Sequence, residues 1–571
     1  MQTSRRNILS AGLVGTTLLT AATLERLGTA AAAHPGPAHP TFDHPTLDRR
    51  PTAASPRLGT DPFTLGVASG DPSPDGFVLW TRLAPSPLDD DGLGGMPGGR
   101  YTVQWEVARD ERFRKVLRRG SVSAGPETAH AVHVEVEHLP SSTEVYYRFA
   151  VDGWVSPIGL TRTAPHPNAK VSALSVALVS CSNYPAGFFT AYRRLAEERP
   201  ELILHLGDYQ YEGPAGASAV GRPHVGPETT TLAGFRQRQA QYKTDLDLQA
   251  AHSAAPWLVV WDDHEVDNNY ADDVPEKLAE AAGFPDRRAA AYRAYYENMP
   301  LRRTSVPNGP DLQLFRRITW GRLATFHLLD TRQYRSDQAC GDGYDDCPEA
   351  ADPARSLPGL EQERWLADGF RRSRTTWDLL GQQVFFGQRD TDPGAANTVS
   401  MDAWDGYPAS RQRVVQSWVD AEVRNPVVLT GDVHAHWASE VLADPLDGAS
   451  EVLGSELVTS SITSGGDGYD APTGAHPWAA WNPNLKFWTN LRGYVSTTIT
   501  PDTLAADFRC VPAVTTPDAA VFTRRSYVIE DGVRGLQQTA DYPLPPSSAA
   551  RRRLPGAEEI IADTLREEGA G

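Results

Sequence analysis

From residue 171 onward the chain repeats one pattern: a short apolar run that stops abruptly, a polar segment, then a stretch with helical spacing. The runs are "VSALSVALVSC", "ELILHLGD", "PWLVVWDDHE", "LATFHLLDT", "WDLLGQQVFF", "NPVVLTGDVH" and "SELVTSSITSGG", and "GFFTAYRRLAEE" is one of the helix-like stretches. Continuous apolar runs, rather than alternation, predict strands buried on both faces. Helices between them predict an α/β domain with largely buried sheets. Residues 62–160 read differently, because "YTVQWEVA", "AVHVEVEHL" and "VYYRFAVDG" alternate apolar and polar positions between turn-forming segments. That pattern predicts a small β-sandwich. The expected organisation is a linker rich in Pro, His and Ala at 34–60, an all-β domain at 61–165, an α/β domain at 166–535 and a tail at 536–571. The tail segment "RRRLPGAEEIIADTLREEG" has the spacing of an amphipathic helix, either a solvated one or one that shields a site. There is no internal repeat.

Residues 1–33 read as an address. Arg5 and Arg6 precede the moderately apolar "LSAGLVGTTLLTAATL", and Ala31 to Ala33 offer small residues to a signal peptidase. This resembles a twin-arginine export signal. It implies the twin-arginine translocase as a partner and a secreted or cell-envelope location. Gly, Thr and Ser dilute the run, which argues against a membrane anchor, and no later segment approaches the ~18 apolar residues of a spanning helix. Asp and Glu outnumber Lys and Arg by 72 to 54, a formal charge of −18. Such a chain repels nucleic acid and anionic lipid unless a local basic patch intervenes, and the arginines form no such stripe. Of the four cysteines, Cys340 and Cys347 bracket "CGDGYDDC" and can close a small disulfide, as an exported protein is free to do. Cys510 lacks an obvious partner, and Cys181 can be a ligand, a buried thiol or its disulfide partner.

Several of the buried runs end in residues able to bind metal: Cys181 and Asn183, Asp208 and Tyr211, Asp262 to His264, then Asp432, His434 and His436. In open α/β folds, groups at the carboxyl ends of strands converge on one crevice. A carboxylate at the end of an apolar strand needs a cation or several donors to remain charged. Taken singly, Gly-Asp after a strand is more often a turn or helix cap, and "DDHE" can be a solvated loop. Their joint occurrence in this order is far more specific.

The set Gly207-Asp208-x-x-Tyr211, Asp263-His264-Glu265 and Gly431-Asp432-Val433-His434 resembles the calcineurin-like metallophosphoesterases. Three departures from the usual signature, Cys181 in "LVSCSNY", "WDDHEVDNN" and "GDVHAHW", look like the alkaline phosphatase D (PhoD) family. The likeness continues through "DPFTLGVASGDPSPDGFVLWTRLAP", "VPNGPDLQLFRR", "LLDTRQYR" and "SMDAWDGYPASR". The resemblance implies a metallophosphoesterase-type sandwich of two mixed β-sheets flanked by helices, preceded by a fibronectin III-like sandwich. It also implies a site with ferric iron (Fe3+) and calcium (Ca2+). Residue by residue, Cys181, Tyr211 and His434 would hold iron, and Asp208 would bridge to calcium. Asp263 and Asp432 would complete the calcium side, with Asn269 and Asp405 as further oxygen ligands. That division suits ligand softness.

The activity implied is that of an alkaline phosphatase or phosphodiesterase. A metal-activated hydroxide would attack phosphorus, with inversion, and His264 would protonate the leaving oxygen or bind phosphate. The partners expected are small phosphoesters and inorganic phosphate, met by a monomer. A purple acid phosphatase with iron and zinc or manganese is the same-fold alternative, against which Cys181 argues. A secreted binding protein with a structural metal cluster is the alternative outside enzymes.

Overall fold

The computed structural model describes residues 55–471, 474–545 and 555–569. The expected export signal at 1–33 and most of the expected linker lie outside the described residues. Three parallel strands, Leu174–Val179, Leu202–Leu206 and Trp257–Val260, form the middle of a ten-stranded sheet. They are three of the abrupt apolar runs, buried at nearly every position. Parallel neighbours must be reached by a crossover, and the helices Thr190–Glu198, Leu232–Lys243 and Leu246–Ala254 supply it. Antiparallel strands from Gly493–Ile499 to Gln537–Asp541 extend one side of this sheet.

A seven-stranded sheet has parallel Ala324–Leu328, Trp377–Gly381, Pro426–Thr430 and Val452–Val458 at its centre. Leu178, Leu204 and Leu206 from the first sheet share one apolar cluster with Phe326, Leu379 and Leu429 from the second. Gly381 lets the layers approach, since a Cβ there would lie 2.9 Å from a Leu328 methyl and 3.3 Å from one of Leu204. The chain is therefore mixed α/β with several sheets, as the interrupted apolar runs predict.

Residues 61–165 contribute to two sheets. Val116–Ala124, Tyr101–Ala108, Glu144–Val151, Trp154–Val155 and Gly159–Arg162 make a five-stranded sheet, whereas Val67–Ser73, Gly76–Arg82 and Ala131–Val136 continue the ten-stranded one. Phe77, Leu79, Val103, Val107, Tyr147 and Phe149 belong to one cluster between them. The expectation of a unit merely preceding the α/β part differs at one edge. Val67–Ser73 pairs in parallel with Trp257–Val260, through Gly70 and Trp257. Only a residue without a side chain fits there, because a Cβ on Gly70 would lie 2.6 Å from the Pro300 carbonyl and 2.8 Å from that of Trp257. The expected tail at 536–571 likewise starts inside the fold. Its first strand, Gln537–Asp541, is an edge of the ten-stranded sheet, and the helix Ala557–Gly569 follows. Among the described residues no helix is long and apolar enough to cross a membrane.

The Gly70 contact has a measurable consequence. Gly70→Ala forces two backbones apart at a sheet centre and should cost about 1–3 kcal/mol, as overpacking does. A lowered melting temperature in a thermal scan is the expected result, and an unchanged one contradicts the contact.

Candidate metal centre and active site

Each ligand-competent residue sits where a buried strand gives way to a sharp turn. Cys181 follows Leu174–Val179, Asp208 follows Leu202–Leu206, Asp262 and Asp263 follow Trp257–Val260, and Asp432 and His434 follow Pro426–Thr430. Cys181, Asp208, Asn269, Asp432 and His434 all have left-handed backbone, with φ of 60, 55, 48, 65 and 51°. Such conformations cost non-glycine residues roughly 1–3 kcal/mol each and persist where the surroundings over-determine them. The turns of the two sheets are pressed together. A Cβ on Gly431 would come within 2.9 Å of Ser180, and Ser180 bridges to Ser461 across the layers.

Ligand atoms of Cys181, Asp208 and His434 lie within 4.8 Å of one another, and so do those of Asp208, Asp263 and His264. Tyr211 joins the first group: its hydroxyl donates to Asp208 Oδ2 at 3.0 Å, lies 3.0 Å from His434 Nε2 and receives Ser464 Oγ at 2.7 Å. Cys181 and Cys510 are both free and buried, so the disulfide between them does not form, while Cys340 and Cys347 are bonded to each other. Asn269 donates its backbone amide to Asp263 Oδ2 at 2.8 Å and its side chain to Asp342 at 3.1 Å. Asp432 is half-buried beside the centre, its carbonyl 3.6 Å from Cys181 Sγ. Asp405 is engaged elsewhere: Arg411 pairs with one carboxylate oxygen, and the Arg389 amide donates to the other at 3.0 Å. His436 accepts from the Ser460 amide at 3.0 Å and packs edge-on against Phe508.

The electrostatics test whether cations fit. Burial pushes the Asp208 carboxyl well above the usual range, with Asp263 and Asp262 adding to the effect, and does the same to Asp432. Burial also raises the Cys181 thiol and the Tyr211 phenol, with Asp208 reinforcing both. Asp263 goes the other way: against the pull of burial, Arg332 and His264 hold its carboxyl low. Asp208 Oδ1, Asp262 Oδ2 and Asp263 Oδ1 are buried without a hydrogen-bond partner. An unpaired buried ion costs several kcal/mol. Converging orphaned oxygens, a thiol, a phenol and an imidazole are a donor set that bound cations would satisfy.

Four residues of the centre, Glu212, Arg332, Asp402 and Ser464, carry no distinctive sequence signal of their own. Glu212 Oε2 pairs with His264 Nδ1 at 2.8 Å, and its other oxygen accepts from the Asn268 amide at 3.1 Å. Only its position directly after Tyr211 could have marked it. Arg332 is fully buried; its Nε donates to Asp262 at 2.5 Å and its terminal nitrogens make a 2.8 Å fork with Asp402. Ser464, which donates to the Tyr211 hydroxyl, completes the set. A cavity of about 640 Å³ opens over the centre, lined by Tyr211, His264 and His434 and, from the C-terminal helix, Arg566 and Glu567. That helix is fastened by Glu568 to Arg389 at 2.6 Å and by Glu567 to Arg492 at 3.3 Å.

Comparison with known proteins points to one family. The PhoD-like phosphatase family matches residues 176–508, and the N-terminal domain of PhoD-like phosphatases matches residues 49–165. Alkaline phosphatase D of Bacillus subtilis (strain 168) is 48% identical over 492 residues, covering 85% of this chain and 84% of that protein. The solved structure of PhoD superposes with a TM-score of 0.84 at 45% identity, covering 90% of this chain and 99% of that one. Fold and relatives together define a phosphoric ester hydrolase. More narrowly, the chain belongs to the PhoD-like phosphatase family.

The crowding of acids predicts how the metal-free protein behaves. Asp208 and Asp432 have raised folded pKa values, so their contribution to stability is complete below the ordinary carboxylate range and is lost as pH rises through the folded values. In the presence of a chelator at mildly alkaline pH, Asp208→Asn should therefore melt higher than wild type, by roughly 1–3 kcal/mol. Equal or lower melting temperature would show that the carboxylates are not in conflict.

Proposed function

We propose that this hydrolase is an exported, metal-dependent phosphatase or phosphodiesterase that works with Fe3+ and Ca2+. The observation that carries the metal reading is the place of Asp208 between Cys181 and His434 on one side and Asp263 on the other, with ligand atoms within 4.8 Å in each group. In this reading Cys181, Tyr211 and His434 would hold the iron, Asp208 would serve both ions, and Asp263, Asp432 and Asn269 would serve calcium. Asp405 is left out of the set because Arg411 and a backbone amide already occupy it. When bound, the cations supply positive charge to the phosphoryl oxygens and lower the pKa of water at the centre. Soft thiolate and imidazole on one side and hard carboxylates on the other match those two ions. Arg5 and Arg6 support export by the twin-arginine route, which carries folded protein and would let the thiol site load before crossing.

His264 is the proton donor of the reaction. Glu212 holds its Nδ1, leaving Nε2 for the leaving oxygen, and the Tyr211 ring lies against the imidazole at 4.1 Å between centroids. Burial alone would discharge this ring, yet Glu212, Asp263 and Asp208 outweigh it and raise its pKa well above the ordinary value. Those anions, with Glu212 first among them, favour the acid form of the ring. The substrates are small phosphoesters, taken up by a monomer through the cavity, and inorganic phosphate is the product of monoester cleavage.

The test is hydrolysis of bis-p-nitrophenyl phosphate by the natively exported protein. Activity should vanish with a chelator and return with calcium, and Tyr211→Phe should remove a visible absorption band. Full activity after exhaustive chelation would end the metal reading. For the proton donor, Glu212→Gln removes the leading anion that keeps His264 charged. The alkaline limb of kcat/KM should move to lower pH, with about a 10- to 100-fold loss on that side; an unmoved limb would exclude His264 as the acid.

A further inference from the structure

We propose that Glu265 is a positioning residue that locks two ligand-bearing strand ends into one unit. The inference rests on reading Asp208 and Asp263 as working groups of the centre. Glu265 is 2% exposed, and its carboxylate does not face the cavity. Its Oε1 accepts from the Tyr209 amide at 2.6 Å, and its Oε2 accepts from the amides of Asp208 at 3.1 Å and Asp262 at 2.9 Å. The three donors belong to two separate turns, one after Leu202–Leu206 and one after Trp257–Val260.

The physical need is plain. Ladder pairing between these strands ends at Leu206 and Val260, so the amides beyond are buried without sheet partners. Left alone, each would cost about 1–3 kcal/mol. No backbone carbonyl can serve all three, because Asp208 turns at φ 55° away from its neighbour while the turns themselves touch. A Cβ on Gly207 would lie 2.5 Å from that of Asp262. A carboxylate has enough lone pairs for three N–H groups. Glu265 thereby fixes the left-handed turn that aims Asp208 inward, and Asp262 is held twice, by its amide on Glu265 and by its carboxylate on Arg332. The adjoining Asp263 is carried with it.

Glutamine keeps the reach of this side chain but offers N–H groups where one carboxylate oxygen now accepts. Aspartate keeps the charge but is one methylene short. Hydrogen–deuterium exchange of the peptides spanning 202–213 and 256–268 reads the bracket directly. In Glu265→Gln, and in Glu265→Asp as the second variant, both peptides should exchange faster together while the seven-stranded sheet keeps its protection. The kcat for bis-p-nitrophenyl phosphate should fall about 10- to 100-fold with KM nearly unchanged. Leu258→Ala, a core change that lowers stability without touching the turns, should leave kcat within about threefold of wild type; a loss equal to that of Glu265→Gln would reduce Glu265 to general stability and overturn the proposal. Wild-type exchange in either peptide, or loosened turns with undiminished kcat, would also overturn it. If the turns loosen in Glu265→Gln while Asp208→Asn keeps full kcat, the bracket stands and the ligand reading falls.

Discussion

Negative charge gathered where water is scarce is the constraint on which this structure depends. Asp208, Asp262, Asp263 and Asp432 approach one another at the ends of buried strands, joined by the thiol of Cys181 and the phenol of Tyr211. Arg332 and His264 are the cations the fold places among them, and Arg332 is already shared with Asp402. Several kcal/mol per uncompensated ion is comparable to the entire stability of a domain, so such an arrangement is tolerable only if something positive completes it. The surrounding architecture reads as machinery for bringing these groups together in spite of their repulsion.

Two features of the fold do that work. The parallel strands of both sheets direct their carboxyl ends to the same region, so residues some 250 positions apart in the text meet without a long excursion of the chain. The strands Leu174–Val179, Leu202–Leu206 and Pro426–Thr430 then stop in left-handed residues at Cys181, Asp208 and Asp432, which converts a strand end into a fixed direction for one side chain. The apolar cluster common to both sheets holds the layers at the spacing the turns require. The N-terminal strands share in this, because the sheet runs unbroken from Trp257–Val260 into Val67–Ser73. The C-terminal helix is secured by ion pairs at its last turn and forms one wall of the cavity, so entry to the centre depends on residues remote from the sheets.

Much of this was written in the sequence. The interrupted apolar runs mark the strands, and the residues that end them, Cys181, Asp208, Asp263 and His434, are visible because their joint occurrence after buried runs is far more specific than any one of them. The partners that hold those residues were not legible, and the reason is physical. Arg332, Glu212 and Ser464 act through hydrogen bonds whose geometry exists only after folding, and an arginine or glutamate in isolation reads as solvated surface. Asp405 shows the converse, since its place in a motif suggested an oxygen ligand, whereas Arg411, on the Pro408–Asp420 helix that follows it, occupies it. The union of the sheets through Gly70 escaped for a similar reason: a glycine in a strand signals close approach without naming what approaches.

His264 and His434 show how completely surroundings assign roles to identical side chains. Both border the same cavity and lie near Asp208. For His434, burial comes first and the cations Arg492 and His264 add to it, so its pKa falls to about 3 and the ring is neutral at any physiological pH. A neutral imidazole with a free lone pair is what a metal ligand must be. For His264 the same burial is overcome by Glu212, Asp263 and Asp208, so the ring keeps its proton. A charged imidazole cannot ligate, but it can give up that proton to a departing alkoxide. The distinction between binder and donor therefore lies in the residues around each histidine, anions led by Glu212 beside His264 and the cation Arg492 beside His434.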